Sequence, residues 1–379
     1  MATDPPAQGP GSGDGERSGR RRGVVALMAA NIAPNWYASV MGTGIVAVAA
    51  ATLPQQFRGL HTAATVVWAM ATVMLIVLAV TDGLQWRLHP AVARSRLTDL
   101  AKGHFNGAPP VAVLVVGAGT LLYGDAVFSQ SAAVDIDWAL WFIGTVLGLA
   151  CTASVLYLLF TRGPVDLDAV QIGWLLCVVP PMVSAATGAL LVPFATAGQD
   201  RLALLLACYA MFGLSLLVSA IAITLICQRL AVHKTGRATT VPTLWIVLGP
   251  LGQSVTAANA LGAVSGLTLD PIDTAALRSF GVVFGVPVWG FATLWAALAA
   301  ALTARTKSSG LPFSLAWWSF TFPLGTYVTA TTTLALRTGS DPFRVYAAVL
   351  YIALVLIWLR VTLLTARSGL RALSAPAPR

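Results

Sequence analysis

Long apolar runs, each closed by a short polar stretch, dominate the chain. A helix needs about 20 mainly apolar residues to cross a bilayer. Ten runs fit that requirement, at 35–53, 60–82, 104–123, 138–160, 169–192, 202–228, 241–265, 275–303, 313–336 and 343–366. None shows the period-two alternation of a barrel wall. The pattern predicts an all-α membrane protein whose ten transmembrane helices pair into five helical hairpins.

Basic residues fix the expected orientation. With the N-terminus in the cytoplasm, eighteen of the 23 lysines and arginines fall inside. Only Arg58, Arg201, Arg278, Arg337 and Arg344 fall outside. This split follows the positive-inside rule and puts both termini in the cytoplasm of a plasma-membrane protein. Composition agrees, since 57% of the 379 residues are hydrophobic and only 10% charged. A soluble domain carries about 25% charge, and a disordered chain lacks the apolar material. The net charge of +9 is spread between the apolar runs rather than gathered on one face. A lipid bilayer, not nucleic acid, is therefore the expected partner. All four cysteines lie inside apolar runs, which argues against a disulfide framework.

Residues 1–22 are rich in Pro, Gly and charge and, after Met1, hold no large apolar side chain. A disordered basic tail is expected over 1–30, a transmembrane domain over 31–366 and a C-terminal tail, ending in ALSAPAPR, over 367–379. Arg20, Arg21 and Arg22 before GVVALMAANIAP resemble a signal peptide or twin-arginine signal. The stretch runs on into more apolar sequence without a clear cleavage site, as the basic flank of a first membrane helix does.

Helix breakers alternate along the runs. The first holds Gly42 and Gly44, the third Pro109 and Pro110, and the fifth Pro180, Pro181 and Gly188. The seventh holds Gly249, Pro250 and Gly252, and the ninth Pro323 and Gly325. The second and tenth have no interior Pro or Gly, the fourth and sixth Gly alone, and the eighth departs from the pattern with Pro287. Interrupted backbone frees N–H and C=O groups that lipid cannot satisfy, so such helices belong against protein or a wet cavity. The expected arrangement is an inner ring of five kinked helices around a pore, enclosed by five straighter ones.

The predicted inner helices carry no central Asp, Glu, Lys or Arg, and the histidines lie at helix ends or in loops. Proton-coupled pumps use intramembrane carboxylates or histidines, and membrane enzymes need a base or metal ligands. Neither constellation is present, so no enzyme activity, metal or cofactor is expected. An uncharged pore suits a channel or a weakly binding carrier, with hydroxyls, backbone N–H groups and helix dipoles holding an anion. The rival readings are a membrane-embedded enzyme and a non-transporting membrane subunit whose broken helices are simply packed away.

Three stretches carry a family resemblance. They are PNWYASVMGTGIVAVA (34–49), LGPLGQSVTAANALG (248–262) and LPFSLAWWSFTFPLGTYVTAT (311–331), with VVPPMVSAATGAL in the fifth run as a weaker fourth. Together they resemble, in order and over about 30–366, the tellurite-resistance/dicarboxylate transporter family. That family includes TehA-type channels, malate permeases, sulfite exporters and plant slow anion channels. The resemblance implies ten helices as five hairpins, a central pore and a homotrimer. It also implies a small anionic solute: a C4-dicarboxylate such as malate, sulfite, a tellurite-related oxyanion, chloride or nitrate. The GPLGQ and TFPLG segments lean toward sulfite or malate. Channel or proton-coupled organic-acid carrier is left open. The family gates with a phenylalanine on the ninth helix, which matches Phe322 here, with Phe320 as the alternative.

Other positions have two readings each. Gly42 and Gly44 flank Thr43 either at the pore or at a tight helix contact. Thr43, Gln253, Ser254 and Asn259 offer hydrogen bonds either to a solute or to a neighbouring helix. His104 stands at the cytoplasmic mouth or in solvent. Arg278 and Arg337 form an outer vestibule or are ordinary loop charges. Trp36, Trp138, Trp317 and Trp358 fit interfacial anchoring, whereas Trp174 and Trp245 fit packing.

Overall fold

The structure, a computed structural model, describes residues 33–98, 104–162, 167–308 and 310–374. The expected tail over 1–30 lies outside the described residues, as do 375–379. Every regular element among the described residues is helical. The main helices are α1 (Tyr37–Thr52), α2 (Leu60–Leu88), α3 (Ala108–Tyr123), α4 (Gln130–Thr161), α5 (Pro180–Leu191), α6 (Gln199–His233), α7 (Leu248–Val264), α8 (Pro271–Ser308), α9 (Thr321–Thr338) and α10 (Asp341–Ser374). Short helices at Pro90–Thr98 and Leu175–Val178 follow α2 and precede α5. The last helix continues to Ser374, past residue 366 where the apolar run ends.

Among the described residues seven helices are long and apolar enough to cross a membrane, or eight if the bent pair Ile172–Val178 and Pro180–Phe194 is one span. The sequence led us to expect ten. The two that fall short have physical reasons. The α1 helix has 16 residues. The 18-residue α9 is rich in threonine, whose hydroxyls lower its hydropathy. Most of those hydroxyls are paired within the helix: Thr331 and Thr338 donate to carbonyls one turn back, at Tyr327 and Leu334, whereas the buried Thr332 hydroxyl has no partner.

The proline pattern also needs correcting. Breaks were expected inside the helices. Instead the prolines mark a changeover from 3-10 to α-helix. The 3-10 segments His104–Gly107, Ala238–Val247 and Leu315–Phe320 lead directly into α3, α7 and α9. Pro109 and Pro110, Pro250 and Pro323 then sit in the first α turn, and Pro180 and Pro181 open α5 beyond a 41° bend. A first-turn residue needs no N–H donor, so proline is tolerated there. The MGTG stretch breaks nothing, because Gly42, Thr43 and Gly44 lie inside the continuous α1. Pro287 likewise lies within the continuous α8.

Packing separates the helices by parity. The helix α1 touches α3, α3 touches α5, α5 touches α7, α7 touches α9, and α9 returns to α1. Each even helix packs on two consecutive odd ones: α2 on α1 and α3, α4 on α3 and α5, α6 on α5 and α7, α8 on α7 and α9, α10 on α9 and α1. Burial follows suit. Only 22% of the α2 and α8 spans is buried, against 78% for Ala238–Leu267. Apolar side chains such as Ile76, Phe142, Leu217, Val283 and Leu356 therefore face outward, as lipid contact requires.

A recurring bond ties the even helices to the odd ones. Indole N–H groups donate across the contact: Trp68 of α2 to Thr120 Oγ1 at 3.3 Å, and Trp141 of α4 to the Ser184 carbonyl at 2.9 Å. From α8, Trp289 reaches Thr331 Oγ1 at 2.9 Å, and from α10, Trp358 reaches Thr43 Oγ1 at 3.1 Å. Trp358 is thus buried between α10 and α1, not an interfacial anchor as its position in the sequence suggested. An indole has one donor, and burying it without an acceptor is unfavourable, so partner and ring orientation are fixed together. Trp358→Phe should lower stability by about 1 kcal/mol. The check is the thermal midpoint in detergent, and an unchanged midpoint would mean that the bond contributes nothing.

Candidate functional site

Two voids lie beside the entry of the five odd segments into their α-helices, at the 3-10 changeovers of α3, α7 and α9 and the bend before α5. The smaller, about 10 Å³ and so barely room for one water, is lined by Met41 of α1, Val111 of α3, Leu176 and Val179 at the bend before α5, Ile246 and Gly249 at the start of α7, and Phe322 and Pro323 at the start of α9. Every odd segment contributes, and among the described residues no even helix does. The larger cavity, about 40 Å³, shares Met41, Leu176, Ile246, Phe322 and Pro323 with it. It widens along the 3-10 segments past Asn35, Phe105, Thr243 and Ser319. The walls are mostly aliphatic and aromatic, and neither void is lined by an ionisable side chain among the described residues.

Phe322 is 2% exposed and lines both voids. Pro323 beside it cannot donate to the Ser319 carbonyl one turn back, so the helix ladder skips this position. Phe320 is placed differently. Its ring meets Trp245 and Trp317 edge-on, with centroids 5.6 Å and 5.7 Å away, and it lines neither void. Pro109, Pro110, Pro180, Pro181 and Pro250 stand at the same changeover but line neither void.

The glycines divide by what stands opposite them. A Cβ on Gly42 would meet Thr321 and Trp318, one on Gly44 would meet Val115, and one on Gly325 would meet Ile45. These three are helix contacts, as is Gly252 against the Thr326 backbone. Gly249 alone among the site glycines faces open space, which is the smaller void. Gln253 lies one turn further along the same face of α7, and its amide makes no hydrogen bond among the described residues.

The remaining polar candidates are spent on packing. Thr43 receives the Trp358 bond. Ser254 donates to the Leu251 carbonyl. Asn259 Nδ2 reaches Gly281 O of α8 at 2.9 Å, while its Oδ1 is buried without a partner. Arg278 lines a shallow separate cleft with Thr274 and Ser279, and Arg337 is not part of it. The side chain of His104 lies outside the described residues. Trp245 packs as expected, with its N–H donating to Thr303 Oγ1 at 3.1 Å. Among the described residues no three His, Cys, Asp or Glu side chains gather as metal ligands would.

A buried carboxyl escaped the sequence reading. Asp137 of α4 is 1% exposed and lies against Gly117 of α3, where its Oδ2 has no hydrogen-bond partner. It stands one residue before the apolar run 138–160, and only the packing of α4 on α3 reveals its burial.

The five odd segments thus wall one narrow void on an all-helical frame with an outward apolar surface. A profile described as the voltage-dependent anion channel family matches residues 31–366. The chain belongs to that family. It is 29% identical to the sulfite efflux pump SSU1 of Arthroderma otae and 28% identical to that of Trichophyton rubrum, over 93% of this chain and 94% of each relative. It is also 25% identical to an uncharacterized transporter of Methanocaldococcus jannaschii, over 79% of this chain and 84% of that one. Membership fits the tellurite-resistance/dicarboxylate resemblance carried by the 34–49, 248–262 and 311–331 stretches. It makes the chain a multi-pass membrane protein of an anion transporter and channel family, whose members are transporters or channels rather than enzymes.

Proposed function

We propose that the chain moves small anions across the plasma membrane through a central pore ringed by α1, α3, α5, α7 and α9. The carrying observation is the narrow gap beside Phe322, lined by all five odd segments and by no described even helix. In this reading Phe322 closes the pore, and α1 and α9 bring the eight long apolar spans to ten crossings. Short or hydroxyl-rich helices can cross when other helices rather than lipid surround them. The termini lie in the cytoplasm, and the subunits assemble as a trimer by analogy with the family. Sulfite is the first solute to test, because relatives matching nearly the whole chain are named as sulfite efflux pumps; malate, chloride and nitrate follow.

The test is anion flux into liposomes carrying the purified full-length protein, with sulfite, malate, nitrate and chloride in turn. Flux above protein-free liposomes for at least one anion is expected. No flux of any of them would overturn the proposal. A second reading, a proton-coupled organic-acid carrier, draws on Asp137, since a buried membrane carboxyl often marks a proton path. The same liposomes separate the two: under an imposed proton gradient without an anion gradient, a carrier accumulates malate and a channel does not.

A further inference from the structure

The larger cavity has four polar side chains among its lining residues, and two of them have nothing left to give. Thr243 donates its hydroxyl to the Thr240 carbonyl at 2.6 Å. Trp318 donates its indole N–H to Thr365 Oγ1 at 3.1 Å. Asn35 and Ser319 are different. The Asn35 amide makes no hydrogen bond among the described residues, and its Oδ1 is buried without a partner. The Ser319 hydroxyl makes none either, and it is not sealed off from the cavity. These residues lie on the 3-10 segments that lead into α1 and α9, which are neighbours. Each precedes by a few residues a side chain of the constriction, Met41 or Phe322.

We infer that Asn35 and Ser319 form a resting site, on the wide side of Phe322, for one small singly charged oxyanion of the hydrogensulfite or nitrate type. The inference rests on the transport reading above. An anion needs donors, and the unused ones here are an amide and a hydroxyl, both neutral. Hydrogen bonds from neutral donors to a charged acceptor are stronger than neutral pairs, yet they supply no countercharge. The next step is an aliphatic and aromatic constriction without an ionisable side chain among its described residues. Continuum desolvation grows with the square of the charge, so a doubly charged ion faces roughly four times the penalty of a singly charged one of the same size. Sulfite is ionised once or twice near neutral pH. The site therefore takes the hydrogen-bearing, singly charged form and rejects the doubly charged one. The buried Asn35 Oδ1 is an acceptor, so of hydrogensulfite and nitrate only hydrogensulfite, through its O–H, can pair it.

The experiment uses the full-length protein in liposomes with three probes, each at fixed total concentration across a pH series spanning the second ionisation of sulfurous acid. Sulfite flux is expected to fall about tenfold per pH unit above that ionisation, as the singly charged form disappears. Nitrate, singly charged throughout, should pass at a constant rate, and sulfate, doubly charged throughout, should not pass. Ser319→Ala and Asn35→Leu should each raise the half-saturating nitrate concentration about fivefold or more. Two variants guard against one of them failing to fold. Constant nitrate flux with sulfite flux undiminished at high pH, or with sulfate passing, overturns the charge selection and leaves anion transport standing. Unchanged half-saturation in both folded variants overturns the site. Absence of both nitrate and sulfite flux at every pH overturns the transport reading and this inference with it.

Discussion

Phe322→Ala is expected to raise anion flux through reconstituted protein roughly tenfold or more, which corresponds to lowering the barrier by about 1.4 kcal/mol. The ring lines both voids and is almost fully buried at their shared wall. An anion passing it must shed water against an aromatic face, with no ionisable side chain among the described residues lining the way. Shortening the side chain to a methyl joins the two spaces and lets water accompany the ion. The informative control is Phe320→Ala, two residues away. Phe320 fills a cluster with Trp245 and Trp317 outside both voids, so its truncation should cost about 3 kcal/mol of stability and leave flux per folded protein unchanged. Equal flux in wild type and in folded Phe322→Ala would remove Phe322 from the closing role while leaving transport itself intact.

The outer helices were the most legible part of the fold. Long apolar runs at 60–82, 202–228, 275–303 and 343–366 became α2, α6, α8 and α10, each longer in the structure than in the sequence reading. Hydropathy marks only the apolar stretch, whereas backbone hydrogen bonding carries the helix on through polar ends such as Asp82–Leu88 and Arg367–Ser374. The inner helices were legible in kind but not in detail. Proline announced a departure from regular α-helix, yet its preference for a first turn put the departure before the proline rather than at it. Glycine was ambiguous for a different reason. Gly42, Gly249 and Gly252 look alike in sequence, and only the neighbour opposite each one tells contact from cavity.

Long-range partners were not legible at all. Trp358 and Thr43 are 315 residues apart, and nothing local to either predicts their bond. Asp137 shared this fate, since its burial depends on Gly117 of another helix. Asn35 carried a faint signal, as a polar residue at the head of an apolar run, but Ser319 carried none. Phe322 came from likeness to a family; composition and spacing did not single it out from Phe320. The structure now does so, because one ring borders the voids and the other does not.

The contrast between Gly249 and Gly252 yields the sharpest stability prediction. A Cβ on Gly252 would lie 2.5 Å from the Thr326 carbonyl carbon and 2.6 Å from its oxygen. Those are backbone atoms, so no side-chain rotation relieves the clash. The helices α7 and α9 must part, and the Thr326 hydroxyl, 3.1 Å from the Leu248 carbonyl, loses its place between them. Overpacking typically costs about 1–3 kcal/mol, and more for a β-branched group against backbone. Net stabilities are only about 5–15 kcal/mol, so Gly252→Val should cut the yield of folded protein sharply and lower the thermal midpoint of what remains. Gly249→Ala should do the reverse. Its Cβ meets nothing within 4 Å, and alanine in place of glycine in a helix favours folding by up to about 1 kcal/mol. The added methyl points into the smaller void, so flux should fall while stability holds or rises. Gly252→Val as stable as wild type would show that α7 and α9 can yield at their contact; an unstable Gly249→Ala would mean that this face of α7 is packed rather than open.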